Sequence, residues 1–366
     1  MQKEEAKWAL GLMSGTSLDG IDATLIKTDG EYISEFGPWL TLPFDEAMLK
    51  ILREAVHGRG DMLVAEQAIT LKHAEAVKAL LKQADMSHKD VHVIGFHGQT
   101  VSHRPQEHIT WQIGNGALLA EKTGIDVVCD FRRRDMAAGG EGAPLVPLYH
   151  AALARRMELP IAVLNIGGIA NVTWIGRSES AATELMDLDI LAFDTGPGNV
   201  MLNEWILKMT GQDYDRDGKL ALAGKADKAL FEKMLQDVYF LRTPPKSLDR
   251  NHFAFDMVAG LSAENGAATL TEFAAGAVEK GAGYFPLPAK QWFVSGGGRH
   301  NPALMQALRH RFLQVYPVES LGWIGDALEA QAFAFLAVRS LKRLPLSVPT
   351  TTGALRAVTG GAFYRA

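Results

Sequence analysis

The chain has 366 residues, 47% of them hydrophobic and 22% charged, with a formal net charge of -5. That length exceeds what one hydrophobic core usually supports, so two domains are expected, and the composition excludes disordered and collagen-like classes. Lys and Arg are scattered rather than blocked, which leaves no footprint for nucleic acid or a membrane surface and makes a small molecule the expected partner. Cys129 is the single cysteine, so no intramolecular disulfide framework exists. It reads as a small core residue, and with no signal-like or membrane-length apolar run in the chain, a cytoplasmic location is the expectation.

In chain order, a strand from Trp8 to Met13, a turn rich in Ser, Thr and Gly, and a strand from Ile21 to Lys27 form a predicted β-hairpin with a long tip. Helical spacing covers Glu46 to Val56 and Met62 to Ala84, followed by an apolar strand from Val91 to Phe96 that ends in His97-Gly98-Gln99-Thr100. Arg132, Arg133, Arg134 and the glycine-rich stretch from Ala137 to Pro147 read as the crossover between domains. A second hairpin then repeats the first: Ile161 to Ile166, the Gly167-Gly168 turn, and Asn171 to Ile175. A short strand, Leu191 to Asp194, enters Thr195-Gly196-Pro197-Gly198-Asn199, with a helix from Val200 that Asn199 is expected to cap. Gln291 to Val294 leads into Ser295-Gly296-Gly297-Gly298, Pro302 opens a helix, and an Ala-rich helix spans about Asp326 to Leu341. Alternating strands and helices indicate an α/β layer fold.

Glycines let successive backbone N–H groups converge, and hydroxyls add donors, which suits a polyphosphate. The turn from Gly15 through Thr16, Ser17, Leu18, Asp19, Gly20 and Ile21 to Asp22 has this composition, as does the second turn with Asn165, Gly167, Gly168 and Asn171. Gly296, Gly297, Gly298 and Asn301 stand at a strand-to-helix junction where bare backbone can approach a purine and ribose. A carboxylate at a strand end can project into a cleft, which makes Asp194 the candidate base. Other motifs fail. Gly218 to Ala226 lacks P-loop spacing and its metal-binding hydroxyl, and Asp213, Asp215 and Asp217 imitate a calcium loop whose twelfth position is Gly224. That segment reads as a polar turn. His97 and His103 lack partners at zinc spacing.

Three such loops in this order resemble the actin-like ATPase fold of sugar kinases. More closely, Gly11-Leu12-Met13-Ser14-Gly15-Thr16-Ser17-Leu18-Asp19-Gly20, Phe96-His97-Gly98-Gln99-Thr100, Asp130-Phe131-Arg132-Arg133-Arg134-Asp135, Leu164-Asn165-Ile166-Gly167-Gly168 and Asp194-Thr195-Gly196-Pro197-Gly198-Asn199 resemble the anhydro-N-acetylmuramic acid kinases. The likeness extends through Gly139 to Pro147, Gly296 to Asn301 and the tail from Gly353 to Ala362.

The resemblance implies an α/β, two-lobed actin-like ATPase (ribonuclease H-like) fold with an interdomain ATP and sugar cleft. It assigns one lobe to residues 1–130 plus about 351–366, and the other to 131–350. It implies ATP with Mg²⁺, phosphorylation of O6 of 1,6-anhydro-N-acetylmuramic acid with hydrolytic opening of the anhydro ring, and a role in cell-wall recycling. Asp194 takes the catalytic position, the three loops bind ATP, and His97, Gln99, Thr100, Arg132, Gly196 and Glu329 are the expected sugar contacts. Many actin-like kinases carry an Asp at the end of the first strand; here Met13-Ser14 stands there, so Asp19 and Asp22 are the substitute metal candidates. A homodimer is the family expectation. The alternatives are an actin-like kinase for another amino sugar and a non-catalytic nucleotide-dependent sugar sensor.

Overall fold

A computed structural model describes residues 5–15, 18–177, 185–249 and 252–366. It resolves into two compact units, Met1–Arg156 with Ala327–Ala366, and Met157–Asp326.

The first unit opens with the expected hairpin, β1 (Lys7–Ser14) and β2 (Gly20–Thr28), extended by an antiparallel β3 (Ile33–Pro43). Helices α1 (Glu46–Val56) and α2 (Met62–Ala84) occupy the ranges their periodicity predicts. Each begins at an aspartate: Asp45 accepts from Met48 N–H, and Asp61 from Leu63 and Val64 N–H. Strand β4 (Val91–Arg104) runs well past its expected end at Phe96. Gly98, at φ +74°, absorbs an irregularity in register, and the strand continues into pairing with β5 (Ile109–Ile113). Then come α3 (Gly116–Thr123), β6 (Val127–Cys129), α4 (Arg133–Ala137) and α5 (Pro147–Ala154). Cys129 is buried, and burial pushes its thiol up to about 12, which fits an inert core residue.

The second unit contains β7 (Ile161–Ile166), β8 (Ile169–Arg177), β9 (Leu188–Pro197), α6 (Val200–Thr210), α7 (Lys219–Ala223), α8 (Lys228–Met234), α9 (Ala263–Ala282), β10 (Gln291–Ser295), α10 (Pro302–Arg309) and β11 (Val315–Pro317). The sheet runs β11-β10-β7-β8-β9. Phe193, Val278, Trp292 and Leu308 form its core, and Trp205 and Phe273 anchor a second cluster beneath α6 and α9. Burial of each such side chain contributes roughly 1.5–3 kcal/mol. Strand β9 continues through Thr195, Gly196 and Pro197 instead of ending at Asp194. Asn199 does not cap α6 with its side chain. Its amide instead donates to Ile166 O at 3.3 Å, tying the helix start to the second hairpin.

The chain returns to the first unit as α11 (Leu328–Leu341), α12 (Pro349–Thr352) and β12 (Ala362–Tyr364), the last pairing with β6. Gly11 on β1 and Gly95 on β4 are register partners beneath α11. A Cβ on Gly11 would lie 1.8 Å from Ala330 O, and one on Gly95 2.0 Å from Phe333 O. The helix backbone therefore rests directly on the sheet, and the Ala-rich composition of α11 is what close approach requires. The units divide at 156/157 and 326/327, where lobe boundaries at 130 and 351 were expected. Both α5 and α11 belong to the first unit, because α11 packs on β1, β2, β4 and α5.

The first sheet runs β12-β6-β4-β1-β2-β3, with β5 beside β4. Apart from β12 and β5, each sheet places three antiparallel strands next to two parallel ones in the same order. The ribonuclease H-like arrangement thus occurs twice, which is the α/β actin-like class. No helix among the described residues is long and apolar enough to cross a membrane.

Candidate active site

Register assembles the second unit's polar groups. Ser295 on β10 pairs with Asn165 on β7, Asn165 with Asn171 on β8, and Asn171 with Asp194 on β9. Directly opposed residues project from the same sheet face, so motifs separated by as much as 130 residues in sequence form one row. Asp194 is held on three sides by one segment. Its Oδ2 accepts from Leu248 N–H at 2.8 Å, its N–H donates to Lys246 O at 2.9 Å, and its carbonyl accepts from the Tyr239 hydroxyl at 2.5 Å.

The glycines divide by what holds them. The tip carbonyls of the second hairpin accept from the start of α6: Asn199 N–H reaches Gly167 O at 2.8 Å, and Gly198 N–H reaches Gly168 O at 2.8 Å. A Cβ at Gly167 or Gly168 would meet nothing closer than 3.7 or 3.8 Å, and one at Gly297 nothing within 4 Å. The fold does not demand glycine at these three positions, so their open backbone suits close approach by a ligand. Gly296 and Gly298 are different. Gly296 has φ +72°, and its Cβ would lie 2.4 Å from Asn165 Oδ1; that of Gly298 would lie 2.5 Å from Ile166 Cγ2. These two shape the loop. Gly196, expected at the sugar, has φ +157° and a would-be Cβ 2.7 Å from Ala277, so packing against α9 accounts for it.

Beside Gly297 opens a cavity of about 410 Å³, walled by Asn199, Tyr214, Arg216, Asp217, His300 and Asn301 among others. Asn301 turns its side-chain oxygen to the N–H groups of Ala303 and Leu304, capping α10. Asp215 similarly accepts from Leu220 and Ala221 N–H, so the calcium-like sequence is the polar turn expected of it. That turn also brings Tyr214, Arg216 and Asp217 to the cavity, a placement no sequence motif signals.

In the first unit, Thr16 and Ser17 lie outside the described residues. Leu18, at φ +59°, donates its N–H to Gly15 O at 3.2 Å, and Asp19 is exposed. Ile21 is core, and Gly20 permits the close passage of Leu42 O, so both serve the hairpin itself. Gln99, expected among the sugar contacts, lies inside the first unit. It is 0% exposed, accepts from the Ser14 hydroxyl at 2.5 Å, and donates to Gly15 O and Thr100 O at 3.3 Å. Its amide braces the first loop.

His97 is buried between two partners. Its Nδ1 donates to Gly98 O at 2.8 Å and its Nε2 accepts from Arg132 Nε at 3.0 Å. Burial, then the Arg132 charge, hold its pKa well below the ordinary value. Arg132 also donates to Gly142 O at 2.8 Å, and burial lowers it to about 10 against the charges of Glu329 and Asp135. Glu329, half-buried on α11, has its pKa raised by burial, opposed by Arg132 and reinforced by Asp22. Thr100 accepts from Gln112 at 3.3 Å near the polar cavity of about 370 Å³ that His97 lines with Trp111, Asn115 and Asp130.

Among the described residues no three His, Cys, Asp or Glu gather as a metal cage. A nucleotide-bound Mg²⁺ needs only one or two carboxylates, the remaining ligands being phosphate oxygens and water. Asp22, which accepts from Thr41 Oγ1 at 2.6 Å and raises the pKa of Glu329, fits that requirement.

Duplicated ribonuclease H-like sheets, each with polar loops at the ends of its strands, define a protein of the actin-like α/β class. The family model described as "Anhydro-N-acetylmuramic acid kinase" matches residues 7–366, and the chain belongs to that family. It is 52% identical over 357 residues to the anhydro-N-acetylmuramic acid kinase of Paramagnetospirillum magneticum, covering 96% of this chain and 98% of that one. The corresponding protein of Rhodospirillum rubrum is 49% identical over 371 residues, covering 100% and 96%. Among solved structures, component A of the (R)-2-hydroxyglutaryl-CoA dehydratase of Acidaminococcus fermentans is similar with a TM-score of 0.48 and 12% identity, over 92% of this chain and 100% of that one.

Proposed function

We propose that the chain is a cytoplasmic kinase that transfers the γ-phosphoryl group of ATP to O6 of 1,6-anhydro-N-acetylmuramic acid while water opens the anhydro bridge, as a step in cell-wall recycling. The observation that carries this is the placement of Asp194, in a member of this kinase family, on a polar strand row with one carboxylate oxygen fixed by Leu248 N–H.

Asp194 accepts a proton from water as the water oxygen bonds to C1. The C1–O6 bond breaks, O6 keeps the electron pair, and O6 bonds to the γ-phosphorus as the ADP oxygen leaves. The products are N-acetylmuramic acid 6-phosphate and ADP. In the second unit, Gly167, Gly168 and Gly297 offer backbone to the nucleotide, Asn165 and Asn171 supply side-chain contacts, and the cavity by Tyr214 receives the nucleoside. In the first unit, the loop from Gly15 to Asp22 contributes to phosphate binding. Arg132, His97, Thr100 and Glu329 contact the sugar, with the Arg132 guanidinium suited to its lactyl carboxylate. Asp22, with Asp19, would hold Mg²⁺, which when bound neutralises phosphate charge.

The test is incubation with ATP and the anhydro-sugar in oxygen-18 water. Label at C1 of a 6-phosphorylated product supports the proposal. Phosphorylation only of a different amino sugar favours the alternative kinase, and binding without turnover favours a sensor.

A further inference from the structure

Lys246 has no part in the mechanism above, yet it belongs to the segment that grips the proposed base. Its carbonyl accepts from Asp194 N–H at 2.9 Å, and two residues later Leu248 N–H donates to Asp194 Oδ2 at 2.8 Å. The side chain departs to the face of Phe193, opposite that of Asp194, because successive residues of β9 alternate. There it is 3% exposed. Its ammonium lies 4.6 Å from the Tyr239 ring centroid, 4.9 Å from that of Tyr284 and 5.9 Å from that of Phe193. One hydrogen bond, to Tyr239 O at 3.2 Å, completes its polar contacts among the described residues; no carboxylate pairs with it.

A buried ammonium without a counter-charge is costly, and an apolar side chain would fill an aromatic cage at less expense. What the cation adds is a connection. It binds both the ring and the carbonyl of Tyr239, whose hydroxyl donates to Asp194 O at 2.5 Å. Tyr284 closes the cage and donates to Phe240 O at 2.7 Å, holding the same turn. The two ends of the segment, Tyr239 and Lys246 to Leu248, are thus joined through the ammonium and meet at one residue, Asp194.

We propose that Lys246 is a positioning residue for phosphoryl transfer: its caged ammonium locks residues 239–248 so that the Lys246 carbonyl and the Leu248 N–H aim the Asp194 carboxylate. This rests on the reading of Asp194 as the base. Burial, and then Arg242, bring the Lys246 ammonium down to about 8. The charged and titratable groups around it are Arg242, the Tyr239 and Tyr284 phenols, and His252, which contacts the Tyr239 ring and bonds Asp237 at 3.0 Å. The clamp therefore loosens as pH rises past about 8.

The experiment measures kcat and KM for the sugar from about pH 6 to 10 in the unmodified enzyme and in Lys246→Met, Lys246→Arg, Tyr239→Phe and Asp194→Asn. Lys246→Met lowers kcat about 10- to 100-fold while the sugar KM stays within about twofold. Lys246→Arg recovers most of that loss and moves the alkaline fall in kcat to higher pH, because guanidinium stays charged. Tyr239→Phe keeps the ring, removes the hydroxyl bond to Asp194, and lowers kcat about 3- to 10-fold, which provides a readout should Lys246→Met not fold. Equal kcat in Lys246→Met, or in Tyr239→Phe where the former fails to fold, overturns the inference. So does an alkaline limb that Lys246→Arg leaves in place. Collapse in Asp194→Asn beside a fully active Lys246→Met removes this inference alone, whereas a fully active Asp194→Asn removes the base as well.

Discussion

Arg132 Nε donates to His97 Nε2 at 3.0 Å, which fixes the imidazole as the neutral Nδ1–H tautomer with Gly98 O as its acceptor. The same guanidinium reaches Gly142 O and opposes the raised pKa of Glu329. Arg132→Met removes both donors and the positive charge that opposes the rise in the Glu329 pKa. The expected result is a rise in sugar KM of about 10- to 100-fold, since hydrogen bonds to charged groups are worth about 1.5–3 kcal/mol. Steady-state kinetics at saturating ATP measures it.

Buried histidines set an acid limit on stability. Burial holds His73 near about 4 and His150 near about 3, and His97 is also well below its ordinary value. Below the unfolded pKa of 6.5 the unfolded chain binds protons that the folded chain refuses, so stability present at pH 7 is lost as pH falls. His73 and His150 each remove about 2 kcal/mol by pH 5, and His97 acts in the same direction. Urea midpoints should fall between about pH 6.5 and 5, and His150→Phe should flatten that slope.

The contact of α11 with Gly11 and Gly95 tolerates no added atom. Gly95→Ala places Cβ 2.0 Å from Phe333 O and forces the helix off the sheet. A loss of about 1–3 kcal/mol or more is expected, read by urea denaturation. Because Glu329 rides on α11, the sugar KM should rise in the same variant.

Gly167 and Gly297 behave in the opposite way. No atom opposes a Cβ at either site closer than 3.7 Å, so Gly167→Ala and Gly297→Ala keep stability within about 0.5 kcal/mol. If the proposed nucleotide contacts hold, both weaken ATP binding, measured by calorimetry, because the added methyl takes up the open space beside the backbone. Unchanged ATP affinity in both would reassign these turns to structure.

Asp194→Asn keeps the Leu248 N–H bond to a side-chain oxygen but cannot take a proton. ATP binding should survive while kcat falls about 10²- to 10⁴-fold. Single-turnover quench flow separates that chemical step from product release.

Local chemistry made much of this protein legible in advance. Helical periodicity marked α1 and α2 to the residue, and paired strand-turn-strand patterns marked both hairpins. Those features depend on neighbours within a few residues, so the order of side chains suffices to reveal them. Strand ends were less legible, since β4 passes Phe96 through an irregularity at Gly98 that only its pairing with β1 and β5 creates. The bonds of Gln99 to Ser14 and Gly15 were not legible either, because they join positions about 85 residues apart. The unit boundaries, the Tyr214 cavity wall and the caged Lys246 were decided by tertiary structure alone. Each arises from groups tens to hundreds of residues apart that meet because sheets and helices bury their apolar faces together, and that geometry is a property of the whole fold rather than of any segment.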